Sequence, residues 1–149
     1  YGNTHLLQAI LVFTIDGMPL LYSGQEAGLK KRLKFFEKDA IEWGDYIYAD
    51  FFSALLKLHQ KHPALWNGKY GGTFEKMDYE DDDLYCYQRV KEDNRVFVFL
   101  NFSDTIKFID LKEPIFQSLT ELYSQEKTDL LDKVELGPLG YKVFYTDSY

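Results

Sequence analysis

The stretch "GMPLLYSGQE" (Gly17–Glu26) contains a continuous apolar run between two glycines, followed by an amide and a carboxylate. A continuous run, unlike an alternating one, predicts that Met18–Tyr22 is a strand buried on both faces, as in a parallel sheet. Proline is permitted near the start of such a strand. The polar residues Gln25 and Glu26 then either line a site at the strand end or lock the turn through hydrogen bonds. The sequence leaves both alternatives open.

Helical patterns lie on both sides of this segment. Apolar residues recur at helical spacing from about Thr4 to Ile15, which predicts a helix there. Ile47–Lys61 is predicted to be an amphipathic helix, with Asp45 as its N-cap and Pro63 ending it. Between the two patterns, Ala27–Asp45 is predicted to be mostly loop.

The period of the sequence changes after residue 66, where short apolar segments alternate with turn-rich breaks. Segments of this length and spacing predict an antiparallel β-sandwich. In Val96–Leu100 both alternating faces are apolar, which predicts a central strand. The predicted strands are Thr73–Tyr79, Leu84–Lys91, Arg95–Phe102, Ile106–Leu111, Glu121–Ser124, a weak segment at Leu130–Leu136, and Tyr141–Tyr145.

Composition narrows the classes of function. The chain has 149 residues, 46% of them hydrophobic, which is enough for a packed core. Its formal net charge of −7 lies in residues 67–149, because residues 1–66 are balanced. An acidic domain repels phosphate backbones, so we expect no nucleic-acid partner. No apolar run approaches membrane-spanning length, so we expect no membrane partner. The single cysteine, Cys86, excludes an internal disulfide framework.

Four stretches in this order resemble the C-terminal part of the alpha-amylase family of glycoside hydrolases. Gly17–Glu26 resembles the family's eighth barrel strand and the turn after it. The other three resemble the last barrel helix, the core strand of the C-terminal domain and its closing strand; His59, where the family often has arginine, is a departure. These three stretches are "FFSALLKLHQKHPAL" (Phe51–Leu65), "VFVFLNFSD" (Val96–Asp104) and "LGPLGYKVF" (Leu136–Phe144).

The resemblance implies an α+β fragment. Residues 1–66 would be the last strand and helices of a (β/α)₈ TIM barrel, and residues 67–149 an antiparallel β-sandwich. Family chemistry uses three carboxylates that precede the eighth strand, the third within an Asn-His-Asp motif expected just upstream of Tyr1. No Asn-His-Asp occurs in this sequence. We therefore expect no catalytic residue, no metal and no cofactor in this chain.

The resemblance also implies substrate-binding roles for Tyr22, Gln25 and Glu26, since a barrel places its chemistry at the C-terminal ends of strands. Turn formation by Gln25 and Glu26, and packing by Tyr22, are the structural alternatives. For the remaining candidates we favour structural interpretations. These are a hairpin turn at Glu80–Asp83, an exposed basic loop at Lys30–Lys34, helix-surface or helix-end positions for His5, His59 and His62, and packing for Cys86, Trp43 and Trp66.

The parent protein is expected to act on α-glucosidic bonds of starch-like or malto-oligosaccharide substrates by a retaining mechanism, the fragment itself being inactive and the sandwich stabilising the barrel. Two alternatives are a carbohydrate-binding module, and a non-catalytic relative such as an amino-acid transporter heavy chain. Residues 4–23 and 47–62 carry apolar surface that would not stay in water. We therefore expect the helices to fold back on the sandwich, or the chain to self-associate.

Overall fold

The computed structural model describes residues 4–147, in which two helices precede a set of eight strands. The helices are α1 (His5–Thr14) and α2 (Ala49–Lys61), and two short 3₁₀ turns follow them (Pro63–Leu65 and Gly68–Tyr70). The strands are β1 (Thr73–Met77), β2 (Leu84–Lys91), β3 (Asn94–Asn101), β4 (Lys107–Ile115), β5 (Leu119–Glu121), β6 (Lys127–Thr128), β7 (Leu131–Leu136) and β8 (Tyr141–Thr146).

The strands form two antiparallel sheets. The large sheet has the order β1-β2-β3-β8-β5-β6, and the small sheet pairs β4 with β7. One face of the large sheet packs against the small sheet and the other packs against the helices. The described chain is therefore a layered structure of helices, large sheet and small sheet.

Strand β3 lies at the centre of this arrangement, as its pattern predicts. Val96, Val98 and Leu100 share a core with the helices. Phe97 and Phe99 point to the opposite core, under the small sheet. Each of these five side chains is almost completely buried. Burial of a large apolar side chain contributes about 1.5–3 kcal/mol, so β3 stabilises both layers at once.

The helices agree with their sequence patterns except at one end. Helix α1 buries Leu7, Ile10 and Phe13 against the sheet and α2. Helix α2 ends at Lys61, and His62 is extended, because proline at position 63 disfavours a helical conformation for the residue before it. The prediction that Asp45 is the N-cap is wrong. The helix begins at Ala49, after a left-handed turn at Tyr46, and Tyr48 is the capping position without a side-chain bond.

The predicted strand over Met18–Tyr22 is not formed. A strand buried on both faces requires sheet neighbours on either side, and every strand among residues 4–147 begins at Thr73 or later. Met18 and Leu20 are 83% and 72% exposed. The run is therefore irregular, and the described residues provide no (β/α)₈ barrel around it.

Near the sheet edge one further strand prediction needs correction, and one strand was not predicted. The predicted strand Glu121–Ser124 is instead β5, Leu119–Glu121, followed by a turn. The buried Glu121 carboxylate accepts hydrogen bonds from the backbone N–H of Tyr123 and Ser124, at 3.0 and 2.6 Å, and so closes that turn. The two-residue strand β6 was not predicted.

No helix in residues 4–147 has the length and hydrophobicity needed to cross a membrane.

Candidate functional site

The three predicted substrate-binding residues lie in one compact turn. The backbone N–H of Gln25 donates to the carbonyl of Tyr22 at 3.0 Å, and the Gln25 side-chain oxygen accepts from the N–H of Tyr22 at 2.7 Å. The Glu26 carboxylate accepts from the N–H of Gly24 at 3.0 Å. Gln25 and Glu26 thus make the turn-locking hydrogen bonds of the structural alternative.

The same turn is anchored to helix α2. The carbonyl of Glu26 accepts a 2.9 Å hydrogen bond from the backbone N–H of Tyr48, the residue before the helix. The carbonyl of Gly24 accepts from both Ala27 and Leu29. These bonds hold the backbone of the turn while the Tyr22 ring remains more than half exposed.

A small open cavity of about 290 Å³ lies beside this turn. Tyr22 and Gln25 line it together with Lys31 and Arg32, whereas Glu26 does not. The structure therefore brings two of the three predicted residues to one surface. Glu26 acts on that surface through the backbone of the turn.

The basic segment Lys30–Lys34 belongs to an exposed loop, as predicted. Lys31 forms an ion pair with Asp39 at 2.9 Å, and Lys34 pairs with Glu37 at 2.7 Å. The hydrogen bond from Lys31 is the main cause that lowers the pKa of Asp39. These ion pairs partly neutralise the loop, which weakens any case for an anion site.

The acidic run Glu80–Asp83 connects the antiparallel strands β1 and β2, so it is the turn of a hairpin. Asp81 and Asp83 both pair with Lys107 on β4, at 2.7 and 3.0 Å. The hydrogen bond from Lys107 lowers the pKa of Asp81. No grouping of His, Cys, Asp or Glu that could hold a metal ion occurs within residues 4–147.

His62 and Cys86 occupy structural positions. His62 is buried at the end of α2, where its Nε2 lies 3.0 Å from the carbonyl of Thr146. Because that carbonyl can only accept, Nε2 carries the proton. Burial lowers the pKa of His62 below its ordinary value. Cys86 is buried between the two sheets, and burial raises the pKa of its thiol to about 12, which suppresses the reactive thiolate.

The two tryptophans each have a structural contact. Trp43 stacks on Tyr46 with ring centroids 5.8 Å apart, and the Trp66 indole donates to the carbonyl of Gln60 at 3.2 Å. Both side chains are 40% exposed, so each also presents part of a ring to solvent.

One buried residue that sequence reasoning missed joins the helices to the sheet. Arg89 on β2 is fully buried and donates to the carbonyls of Thr14, Gly72 and Trp66 at 3.1, 3.0 and 3.4 Å. It also lies 3.7 Å from the carboxylate of Asp16, directly before the Gly17–Glu26 segment. An arginine within the otherwise apolar strand pattern "LYCYQRV" was the available signal.

Comparison with known proteins gives a consistent set of relatives, although no family model matches the sequence. The chain is 25% identical over 150 residues to alpha-amylase 2 of Dictyoglomus thermophilum, covering 90% of this chain and 24% of that protein. It is 31% identical over 119 residues to alpha-amylase MalA of Haloarcula japonica, covering 77% of this chain and 17% of the relative.

Solved structures agree with these relatives. The alpha-amylase GTA of Geobacillus thermoleovorans, crystallised with acarbose, superposes with a TM-score of 0.69 at 21% identity. The match covers 94% of this chain and 32% of that enzyme. The chain thus spans between about a sixth and a third of the length of these three relatives. Its sequence and its fold are together similar to the C-terminal part of an alpha-amylase-family glycoside hydrolase.

Proposed function

We propose that this chain is the C-terminal part of a longer retaining glycoside hydrolase that cleaves α-glucosidic bonds in starch-like polymers or malto-oligosaccharides. The observation that carries the proposal is the 31% identity with the Haloarcula alpha-amylase over 77% of the chain. The agreement of fold with the Geobacillus enzyme over 94% of the chain supports the same family.

The distribution of exposed apolar side chains supports the longer protein. Met18, Leu20, Phe35, Phe36 and Ile47 are between 64% and 94% exposed, and all lie in the irregular segment that joins the two helices. Large apolar side chains clustered on one segment mark an interface. We propose that this interface is covered by the rest of a (β/α)₈ barrel, in which Met18–Tyr22 gains its strand neighbours.

Within that arrangement, Tyr22 and Gln25 would line the edge of the substrate cleft, and Glu26 would hold their turn in position. Their exposure and the adjacent cavity support this role. The catalytic carboxylates of the family precede this segment, so residues 1–149 alone would be inactive. In a retaining mechanism, one carboxylate attacks the sugar and the other protonates the leaving oxygen, at a separation of about 5–5.5 Å.

The test compares the longer natural protein with the isolated 149-residue chain, using maltoheptaose as substrate. We expect hydrolysis by the longer protein, with the product first appearing as the α-anomer in proton NMR, and no hydrolysis by the isolated chain. An initial β-anomer would overturn the retaining mechanism. Absence of hydrolysis by the longer protein would overturn the proposed activity.

Matched variants of the longer protein test the site. Gln25→Ala should raise KM for maltoheptaose, whereas Gln60→Ala, at an exposed position of helix α2, should leave KM unchanged. Equal KM values for the two variants would show that Gln25 does not contact the substrate in the cleft. The thermal midpoint of each variant separates loss of binding from loss of folding.

A further inference from the structure

A second and larger cavity lies far from the turn in the sequence, between the two sheets of the sandwich. Its volume is about 670 Å³, within the range of ligand sites, and it is open to solvent. We call it the inter-sheet cleft. It is lined by Met77–Tyr79, Gln88, Asp93, Arg95, Phe97 and Leu111–Gln117.

The cleft exists because the small sheet stops covering the large one. Pairing between β4 and β7 is regular up to Asp110 and resumes only at Ile115, after a shift in register. The intervening part of β4 forms the wall of the cleft. On the floor, the cross-strand row Glu75–Gln88–Phe97 changes from polar to apolar as it passes beneath the small sheet.

Two polar groups in the cleft retain hydrogen-bonding capacity. The Gln88 amide nitrogen donates to the Glu75 carboxylate at 2.8 Å, which fixes the orientation of the amide. Its oxygen is buried and accepts no hydrogen bond within the described chain. The guanidinium of Arg95 has no hydrogen-bond or ion-pair partner among residues 4–147 either. The second N–H of the Gln88 amide and the donors of the partly buried Arg95 guanidinium therefore remain for a ligand.

Aromatic surface accompanies these groups. The Phe116 ring is 79% exposed on the rim of the cleft, and Tyr79 is half-buried within it. The charged residues of the lining are of both signs, and Asp78 is already paired with Lys76 at 2.7 Å. The cleft therefore offers an apolar ring face, an amide and a planar cation, without a strong field of one sign. This combination suits a neutral, polyhydroxylated ligand.

We propose that the inter-sheet cleft is a second saccharide-binding site, which takes a segment of an α-glucan chain with a sugar face on Phe116 and hydroxyl groups on Gln88 and Arg95. The choice of an α-glucan rests on the proposed function. The site itself would hold substrate on the sandwich, away from the turn that carries Tyr22 and Gln25.

The test is titration of the 149-residue chain with maltoheptaose. Binding is measured by calorimetry and by changes in the side-chain amide NMR signals of Gln88. We expect binding that shifts the Gln88 signals. Phe116→Ala should raise Kd about tenfold, since it removes the ring face. Phe108→Ala is the matched control, because Phe108 lies on β4, the strand that Phe116 directly follows, is 74% exposed and does not line the cleft.

Arg95→Met is the second variant, since only the backbone of Arg95 takes part in the bonds to Thr146. This substitution should also weaken binding, while the circular dichroism spectrum remains that of the unsubstituted 149-residue chain. The proposal would be overturned if the unsubstituted 149-residue chain did not bind maltoheptaose, or if Phe116→Ala and Phe108→Ala had equal Kd values. A loss of binding in Gln25→Ala alone would also overturn it, because that would place the ligand at the turn.

The outcome is separable from that of the proposed function. Hydrolysis of maltoheptaose by the longer protein without cleft binding by this chain would overturn only the second site. Cleft binding of cellohexaose in preference to maltoheptaose would overturn the α-glucan assignment of the site, and the hydrolysis assay would still decide the activity.

Discussion

The guanidinium of Arg89, on strand β2, donates a 3.1 Å hydrogen bond to the carbonyl of Thr14, the last residue of helix α1. A helix leaves its final carbonyls without intrahelical partners, and burial makes that costly. The Thr14 hydroxyl also lies 2.6 Å from the hydroxyl of Tyr87, two residues before Arg89 on the same face of β2. The end of α1 is thus fastened to the sheet by side chains of one strand.

Replacement of Arg89 should therefore destabilise the whole chain. Arg89→Met removes donors from three backbone carbonyls, and we expect it to lower the free energy of unfolding by about 3 kcal/mol or more. Arg89→Lys keeps the positive charge but not the planar, forked guanidinium. It should therefore lower the free energy of unfolding by less than Arg89→Met does. Urea denaturation followed by circular dichroism measures both. A loss below about 1 kcal/mol in Arg89→Met would contradict this role.

A second network involves the stretch "NFS" (Asn101–Ser103), at the end of β3 and the start of the next loop. The buried Asn101 amide donates to the carbonyls of Thr105 and Gly137, at 2.7 and 2.8 Å. Its oxygen accepts from the backbone N–H and the hydroxyl of Ser103, at 2.9 and 2.7 Å. Asn101 therefore ties the loop after β3 to the loop before β8.

Asn101→Asp should disrupt this network, because a carboxylate would face two carbonyl oxygens and could donate to neither. We expect a loss of about 2–4 kcal/mol in the free energy of unfolding. Ser103→Ala removes one of the two bonds that Asn101 accepts, together with solvent-exposed bonds to Thr105, and should cost about 1 kcal/mol or less. Equal losses in the two variants, measured by chemical denaturation, would show that the amide donors contribute little.

Local patterns predicted the parts of this fold whose stabilising contacts are encoded nearby. The double apolar alternation of Val96–Leu100 identified a central strand, since each face needs its own core. The helical spacing before Thr14 and before Lys61 identified both helices for the same reason. In contrast, the strand predicted at Met18–Tyr22 depends on neighbours that residues 4–147 do not supply, so its pattern could not reveal the observed conformation.

The candidate site likewise has local features that the sequence predicts and long-range features that it does not. The short spacing from Tyr22 to Glu26 was sufficient to predict that Gln25 and Glu26 could lock a turn, because those bonds are local. The role of Arg89 and the inter-sheet cleft join residues far apart in the chain. A single sequence does not show which distant residues meet.

Cys86 should be unreactive in the folded chain. It is buried between the sheets, and burial raises the pKa of its thiol to about 12, so very little thiolate exists at neutral pH. Iodoacetamide at a mildly alkaline pH should label it slowly in buffer and rapidly in concentrated urea. Equal labelling rates, followed by mass spectrometry, would mean that the region around Cys86 opens readily.

Two histidines should make the chain less stable in mild acid. Burial lowers the pKa of His62, and burial together with the charge of Arg89 lowers the pKa of His59. A folded-state pKa below the unfolded value of about 6.5 means that the unfolded chain binds protons first. Stability from both groups is therefore present above about pH 6.5 and is lost as pH falls through the depressed folded-state values.

We expect the free energy of unfolding to decrease between about pH 7.5 and about pH 5.5. The double variant His59→Gln and His62→Gln should show a flatter dependence over this interval, because glutamine can still donate to the carbonyl of Thr146 but does not titrate. The measurement is the urea denaturation midpoint of both chains at several pH values. An unchanged slope in the double variant would assign the effect to other groups.

The turn that carries Tyr22 and Gln25 should depend on the absence of a side chain at Gly24. Gly24 has a φ of +95°, and a Cβ there would lie 2.9 Å from Cδ2 of Leu29. Gly24→Ala thus combines backbone strain with steric overlap, and we expect it to cost about 1–3 kcal/mol. Gly17→Ala is the matched control, since Gly17 also has a positive φ, +141°, but a Cβ there would meet nothing within 4 Å.

Amide hydrogen exchange shows whether the loss at Gly24 arises within the turn itself. The N–H groups of Ala27 and Leu29 both donate to the carbonyl of Gly24, so their exchange reports directly on the shape of this turn. Exchange at both amides should accelerate in Gly24→Ala and less in Gly17→Ala, because only the first variant forces a side chain against Leu29. Equal acceleration in the two variants would show that the substitution at Gly24 acts through the stability of the whole chain and not through the contact with Leu29.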